Sequence, residues 1–313
     1  MIRILLVVIG LILYGSLYPW QYRPGPPGLT PVDVLLRSWP AKIGPSDSSD
    51  IVVNLLIYVP VGLFAFLALQ QRGRARLRWV VPGMLALALS TAVELAQVFD
   101  VSRFPSLLDV LDNTLGGLFG TLLGFVFRDS LSGAMFLVLH WVGLQVCVLF
   151  ALLARHVKPR FWTSRLEAVT ELAGWTVFLF LLSEPRRRSR WATGMAAAFL
   201  LLITVRGLAP FHLQANAKAF SWIPFISMLS QEWIAGLPVY LEKSFEYGAA
   251  IWLLRQAGIR LGSATVVVAA MLACMEAIQR YLPGRTPEST DPILAMILGM
   301  MMYLIEEARV NLA

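Results

Sequence analysis

The sequence has little charge and few of the residues that build metal or thiol chemistry. Only 14% of its 313 residues are charged, and it contains three histidines and two cysteines. A soluble globular domain carries roughly 25% charged residues, so this composition excludes an ordinary soluble enzyme. The cysteines, Cys147 and Cys274, lie in apolar segments without metal-ligand spacing. We expect both to be small, buried hydrophobic residues.

Several catalytic motifs are also absent. The chain has no glycine-rich phosphate-binding loop, no His and Cys pair with metal-ligand spacing, and no serine in a nucleophile-elbow sequence. We therefore expect no metal site and no cofactor. Any chemistry would take place within the membrane or at its outer surface, and would use carboxylate, amide and guanidinium groups.

Hydrophobic residues are abundant instead, at 58% of the chain, and the mean hydropathy is +0.69. The net charge of +7 comes largely from short arginine runs between apolar segments, such as the run from Arg72 to Arg78. This pattern is typical of cytoplasmic loops in membrane proteins rather than of nucleic-acid binding. The composition predicts an all-α, polytopic membrane helical bundle whose partner is the lipid bilayer and not nucleic acid.

About ten apolar segments approach the roughly 20 residues that a helix needs to cross a bilayer. They are an uncleaved N-terminal segment and segments near 51–69, 79–98, 106–127, 131–153, 167–183, 191–208, 235–254, 262–281 and 289–307. Arginine-rich loops follow the second and sixth segments, which predicts that these loops and both termini are cytoplasmic. The basic stretch 155–165 would then lie outside, against the same rule. Under this scheme Glu94, Arg103 and Asp109 lie at the outer face.

Polar residues are concentrated between residues 94 and 120, and the pattern recurs near the C-terminus. A shift of 182 positions places six residues on identical ones: Glu94 on Glu276, Gln97 on Gln279, Arg103 on Arg285, Pro105 on Pro287, Asp109 on Asp291 and Gly117 on Gly299. A looser upstream alignment pairs Gly62 with Gly248 and LYPW at 17–20 with LAPF at 208–211.

This internal similarity predicts two parallel four-helix repeats separated by two extra helices. The expected boundaries are 1–128 for the first repeat, 129–190 for the connecting helices and 191–313 for the second repeat. The second repeat is degenerate, since Leu294 and Ala295 stand where the first has Asp112 and Asn113.

The polar residues of the first repeat form a candidate ligand- or headgroup-binding site. Asp109, Asp112 and Asn113 continue into a stripe of small residues that lets another helix approach closely. The candidate residues are Asn54, Glu94, Gln97, Arg103, Asp109, Asp112 and Asn113, with second-repeat counterparts Glu276, Gln279, Arg285 and Asp291. A structural alternative is that Glu94, Arg103 and Asp109 are hydrated at the membrane surface or lock two helices together.

These residues resemble the VanZ-like family of bacterial membrane proteins. The resemblance rests on NLLIYVPVG at 54–62, ELAQ at 94–97, Arg103, DVLDNTLGGLFG at 109–120 and LYPW at 17–20. It implies a protein of the bacterial cytoplasmic membrane and an association with low-level resistance to the glycopeptide teicoplanin, but no particular reaction. The tandem arrangement with two added helices departs from the short, single-domain form of the family.

Three functions are compatible with this pattern, and the oligomeric state stays open. The first is a membrane factor whose outer-face site binds a polar headgroup, an envelope precursor, a glycopeptide or a cationic amphiphile. The second is an intramembrane enzyme acting on a lipid-linked substrate, with Glu94 or Asp109 as general acid or base and Arg103 holding an anionic group. The third is a transporter, although a transporter needs polar access from both sides and these groups are concentrated on one.

Overall fold

The computed structural model describes residues 1–40, 45–128, 185–229 and 233–310. Within these ranges the regular structure is helical, and two isolated β-bridges pair Tyr22 with Asp100 and Ser221 with Glu288. The helices are α1 (Ile2–Ser16), α2 (Pro31–Leu36), α3 (Pro45–Gln71), α4 (Leu77–Gln97), α5 (Leu107–Phe127), α6 (Pro185–Leu208), α7 (Ile226–Leu229), α8 (Trp233–Gln256), α9 (Leu261–Gln279) and α10 (Thr290–Val310). The predicted all-α class is confirmed for the described residues.

Every predicted apolar segment within the described ranges lies in a helix, whereas the segments 131–153 and 167–183 lie outside them. Among the described residues, five stretches are long and apolar enough to cross a membrane: Asp50–Gln71, Leu77–Gln97, Leu107–Phe127, Trp191–Leu208 and Leu261–Gln279. Helices α8 and α10 cover two further predicted segments but carry several charged side chains.

The first predicted span is shorter than expected. Helix α1 has 15 residues, and at about 1.5 Å per residue it covers about 22 Å of a hydrocarbon core that is roughly 30 Å thick. The short helix α2 follows it and was not predicted. Thr30 and Asp33 form a capping box at its start, in which each side chain accepts a hydrogen bond from the other residue's amide.

The chain forms two compact units, one built around residues 1–128 and the other around residues 185–306. In the first unit α3, α4 and α5 pack on one another, with α1 against α3 and α2 against α4. In the second unit α8 packs on α6, α7 and α9.

Glycine residues bring α3 and α5 into backbone contact. A Cβ on Gly116 would overlap the Leu55 carbonyl, and a Cβ on Gly120 would overlap the Val59 carbonyl. Both helices advance in the same direction along this contact, so they run parallel. The predicted close approach at the small-residue stripe of α5 is confirmed, and side chains one turn earlier on that face enter the bundle interior.

Two turns of the same geometry follow α1 and α6. The first contains a cis peptide bond at Tyr18–Pro19 and the second one at Ala209–Pro210. The next residues, Trp20 and Phe211, both have φ of 61°. Their amides donate to the carbonyl three residues back at 2.8 and 3.0 Å.

Large apolar side chains point outward from the span helices, as Met84, Leu115 and Val266 do. The prediction that Cys274 is buried is wrong, because this free thiol is exposed on α9. In a bilayer an apolar side chain does not need protein around it, since the lipid tails are equally apolar. Cys147 lies outside the described residues.

Replacing Gly120 by Ala should separate α3 from α5, because the new methyl group meets backbone that cannot rotate away. We expect a loss of about 1–3 kcal/mol in the free energy of unfolding, the usual cost of overpacking. Thermal or denaturant unfolding of the purified protein in detergent measures it.

Gly10→Ala is the matched control, since a Cβ there meets nothing within 4 Å. If Gly120→Ala were as stable as the control, the backbone contact between α3 and α5 would be wrong.

Candidate functional site

Glu94 fastens the end of α4 to the start of α5. Its side chain is only 3% exposed, and Oε2 accepts a hydrogen bond from the Ser106 amide at 2.7 Å. Ser106 caps α5, and its hydroxyl accepts a hydrogen bond from the Asp109 amide at 3.2 Å. A carboxylate is favourable here because amides without intrahelical partners gather at a helix N-terminus.

Gln97 and Arg103 tie the same junction to the turn after α1. Gln97 Nε2 donates to the Ser16 carbonyl at 2.9 Å, and Arg103 Nε donates to the Tyr18 carbonyl at 3.3 Å. Burial lowers the pKa of the Arg103 guanidinium, and the nearby Asp100 and Glu94 carboxylates partly oppose this effect. Glu94, Gln97 and Arg103 therefore each make a hydrogen bond to the backbone at this junction.

Asp100 belongs to this junction but was missed by the sequence analysis. It is fully buried, and Oδ1 accepts hydrogen bonds from the Ser102 amide at 2.8 Å and the Arg103 amide at 3.2 Å. An Asp after the end of a helix favours a turn, because its carboxylate can accept a hydrogen bond from the amide two positions on. That signal was available in the sequence.

Asp112 and Asn113 lie one turn deeper on α5 and are 4% and 5% exposed. Asn113 Nδ2 donates to the Ser90 hydroxyl on α4 at 2.8 Å. Asn113 Oδ1 and Asp112 Oδ2 have no hydrogen-bond partner. Asp112 is close enough to Asp109 for the two carboxylates to repel each other.

Tyr58 of α3 is buried beside Ser90 and was also missed by the sequence analysis. It is 2% exposed, and its hydroxyl lies close to Ser90 but outside hydrogen-bonding geometry. It also lies within electrostatic range of Glu94 and Asp109. We call Tyr58, Ser90, Asp112 and Asn113 the polar cluster.

Asn54, the remaining predicted residue, lies one turn before Tyr58 on α3 and is half-buried. Residues four apart share a helix face, so Asn54 and Tyr58 follow the same side of α3. Asp109 is also half-buried, in the first turn of α5.

The helices described so far, α1 to α5, lie within a segment that matches a known protein family. Residues 1–128 match the model of the VanZ/LLP1 family. This match and the five apolar helices indicate a membrane protein with a VanZ-like domain. Comparison with curated proteins and with solved structures gave no match.

Three contacts of the VanZ/LLP1 segment recur in the second unit. Gln279 Nε2 donates to the Gly207 carbonyl at 3.0 Å, and Arg285 Nε donates to the Ala209 carbonyl at 3.0 Å. Glu276 Oε2 accepts a hydrogen bond from the Glu288 amide at 2.9 Å. These contacts match those of Gln97, Arg103 and Glu94 in kind and in position along the helices.

Three of the four polar-cluster residues of the VanZ/LLP1 segment do not recur, whereas Tyr58 aligns with the buried Ser244 when Gly62 is set on Gly248. The same shift of 182 positions places Leu272, Leu294 and Ala295 where the first unit has Ser90, Asp112 and Asn113. All three apolar side chains are 0–1% exposed. Both members of the Ser90–Asn113 hydrogen bond are therefore replaced together.

Asp291, the counterpart of Asp109, has two partners in the second unit. Lys243 Nζ donates to Oδ1 at 2.6 Å, and the Tyr247 hydroxyl donates to Oδ2 at 2.7 Å. The neighbouring acids of α8, Glu242 and Glu246, pair instead with Arg206. A third pair joins Arg255 at the end of α8 to Glu306 at 3.7 Å, so the charges of α8 are divided among three ion-pair groups.

No group of three or more His, Cys, Asp or Glu residues within the described ranges is arranged to hold a metal ion. The buried side chains of the VanZ/LLP1 segment offer hydrogen-bond acceptors and carboxylate groups.

Asp112→Leu should stabilise the protein, because it removes a buried carboxylate oxygen without a partner and introduces the residue found at position 294. We expect the free energy of unfolding to rise by about 1–3 kcal/mol, the usual cost of such an atom. Unfolding of delipidated protein in a neutral detergent measures it.

Glu94→Ala should instead destabilise the protein, because it leaves the Ser106 amide without its hydrogen-bond acceptor. We expect the free energy of unfolding to fall by about 1–3 kcal/mol. A loss of stability in Asp112→Leu as large as in Glu94→Ala would show that Asp112 has a structural partner.

Proposed function

We propose that this protein is a membrane factor of the bacterial cell envelope whose first unit binds a polar group of an envelope molecule. The proposed binding residues are the polar cluster and the predicted residues around it, Asn54, Glu94, Gln97, Arg103 and Asp109. The observation that carries the proposal is a pair of buried oxygen atoms on α5 without hydrogen-bond partners, Asp112 Oδ2 and Asn113 Oδ1.

A ligand accounts for these atoms better than packing does. Each buried polar atom without a hydrogen bond costs about 1–3 kcal/mol, and a charged one costs more. A chain that needed only a packed core could use Leu and Ala, as the second unit does at 294 and 295. Proteins commonly accept such a cost where function requires it.

We also infer that the second unit is a copy of the first that has lost the polar cluster. The recurring contacts of Gln279, Arg285 and Glu276 support this inference, as do the matching turns after α1 and α6. The Glu, Gln and Arg shared by both units bond backbone atoms, whereas Asp112 and Asn113, which are confined to the first unit, have atoms without partners. This division supports an architectural role for the shared set and a binding role for the cluster.

The proposed location is the cytoplasmic membrane, with both termini in the cytoplasm and the α4–α5 junction at the outer face. The arginines between α3 and α4 support this orientation. An outer-face site suits an envelope precursor or a glycopeptide, in line with the teicoplanin resistance that the family resemblance implies.

Binding is better supported than catalysis or transport. Asp109 and Glu94 are the candidate acid–base residues and Arg103 is the candidate anion-holding residue; of these, Glu94 and Arg103 make backbone hydrogen bonds in the junction. An intramembrane enzyme would have to break these contacts or use other atoms of the same groups. The polar cluster lies in a single unit near one end of α5, which favours a one-sided binding site over a transport path.

The double substitution Asp112→Leu with Asn113→Ala should abolish the protection against teicoplanin that the wild-type protein confers on a susceptible host. The inhibitory concentration should fall to that of cells carrying an empty vector. The double variant carries the residues of the second unit, so it should be expressed normally, as an immunoblot would show.

Thr121→Ala is the matched control, because this buried hydroxyl on α5 bonds only the Gly117 carbonyl of its own helix at 2.8 Å. Full protection by the double variant would contradict a role for the cluster. A wild-type protein without protective effect would remove the resistance part of the proposal.

The proposed orientation predicts the labelling of two engineered cysteines by a membrane-impermeant maleimide. In a background with Cys147 and Cys274 replaced by Ser, Ser102→Cys should be labelled in intact cells. Arg74→Cys should be labelled only after permeabilisation. Both side chains are exposed, so the reverse pattern would place the junction on the cytoplasmic side.

A further inference from the structure

An apolar groove runs along α9 and α10 in the second unit. Its volume is about 510 Å³, within the roughly 300–1,000 Å³ of typical small-molecule sites. The lining includes two small buried residues, Ala269 and Gly299, next to the large exposed side chains of Val266 and Met300. Small residues beside large ones leave a furrow on the outer surface of these helices.

The lining of the groove suits hydrocarbon. Thr265, a polar residue along its length, donates its hydroxyl to the Leu261 carbonyl of its own helix at 2.9 Å, so it needs no partner in a ligand. Met296 and Met300 also line the groove, and methionine side chains adapt to the shape of an apolar partner. A flexible hydrocarbon chain therefore fits this surface.

The groove has the length of one bilayer leaflet. On α9 its lining runs from Leu261 to Ala270, which at about 1.5 Å per residue covers about 14 Å. The hydrocarbon of one leaflet is about 15 Å deep, which is half of a core roughly 30 Å thick. A helix from a second copy would follow the whole span, whereas a lipid acyl chain occupies one leaflet. The length therefore favours an acyl chain.

One end of the groove carries a positive charge. Arg260 immediately precedes the first lining residue of α9, its side chain is exposed, and no ion pair joins it to any residue that the structure describes. Gly299 of α10 lies against Thr265 of α9, and Tyr303, one turn later on α10, lines the same end and is 57% exposed. Tyrosine and arginine side chains are typical of the membrane–water interface, where lipid phosphates lie.

We propose that this groove binds one anionic phospholipid, with an acyl chain between α9 and α10 and the phosphate group at Arg260. Arginine binds phosphate oxygens through paired N–H donors. The loop between α8 and α9 also begins beside Arg255, and basic loops lie in the cytoplasm, where the adjoining leaflet is rich in anionic lipid. The lipid therefore belongs to the cytoplasmic leaflet. This inference concerns the second unit and is independent of the ligand of the polar cluster.

The test measures binding of dioleoyl phosphatidylglycerol to the delipidated full chain in a neutral detergent by native mass spectrometry. The wild-type protein should bind a first lipid molecule more tightly than any further ones. Dioleoyl phosphatidylcholine, whose headgroup carries a compensating positive charge, should bind about fivefold more weakly. Equal affinity for the two lipids, or the absence of a distinct first binding step, overturns the proposal.

Gly262→Leu should block the groove. Gly262 lines it, and a Cβ there meets nothing within 4 Å, so the leucine side chain occupies the groove without displacing protein atoms. The dissociation constant of the first phosphatidylglycerol should rise by at least about tenfold, because several methylene groups of the acyl chain lose their burial.

Gly194→Leu is the matched control. It introduces the same side chain on the exposed surface of α6, where a Cβ also meets nothing within 4 Å. Binding should stay at the wild-type level in this control. Equal binding by Gly262→Leu and Gly194→Leu overturns the assignment of the groove to the acyl chain.

Arg260→Gln tests the position of the phosphate. It should raise the dissociation constant of phosphatidylglycerol about fivefold and remove the preference over phosphatidylcholine. Arg74→Gln is the control, because it removes an exposed arginine from the loop between α3 and α4. An equal loss of affinity in both variants would indicate a general effect of net charge and overturn the role of Arg260.

The same spectra distinguish a lipid from a second copy of the chain. The wild-type protein should bind the lipid as a monomer. A wild-type dimer that disappears in Gly262→Leu but persists in Gly194→Leu would assign the groove to a second copy and overturn the lipid site.

Discussion

The structure depends on the requirement that buried polar groups find partners within the protein when the surroundings are hydrocarbon. Glu94, Gln97 and Arg103 meet it by bonding backbone atoms of the α4–α5 junction and of the turn after α1. These bonds fix how three helices meet at one end of the bundle. Within the part of the chain that the structure describes, only a few buried side-chain atoms do not meet this requirement.

Close helix packing decides where those atoms lie. Gly116 and Gly120 allow α5 to touch the backbone of α3, so side chains one turn earlier on α5 enter the interior. The second unit has Leu298 and Met302 at the corresponding positions, both almost fully buried, and Leu294 and Ala295 in place of Asp112 and Asn113. The two glycines at the α3 contact and the polar pair one turn earlier are therefore both absent from the second unit. The VanZ/LLP1 match likewise covers only the segment that has both features.

The class of the protein and much of its organisation were readable from the sequence. A bilayer requires long apolar segments, so hydropathy alone predicted helices at every segment that falls within the described residues. The spacing of Gly116 and Gly120 predicted close helix contact, because a helix face is a local property of the chain. Hydropathy did not predict the short α1 or the outward position of Cys274. An apolar side chain is equally stable against lipid and against protein, so its hydropathy does not tell which of the two it faces.

The roles of the polar residues were decided only by the tertiary structure. The sequence analysis missed Tyr58, Ser90 and Asp100. For a single polar residue in or beside an apolar segment, the sequence does not tell whether the side chain faces the bundle interior or its surface. The partners of Gln97 and Arg103 lie about 80 residues away in the chain and meet them only in the fold. By itself the sequence determined which residues recur in both halves. The fold decided which of them hold the junction and which have buried atoms without partners, because hydrogen bonding depends on atoms that are close in space and distant in sequence.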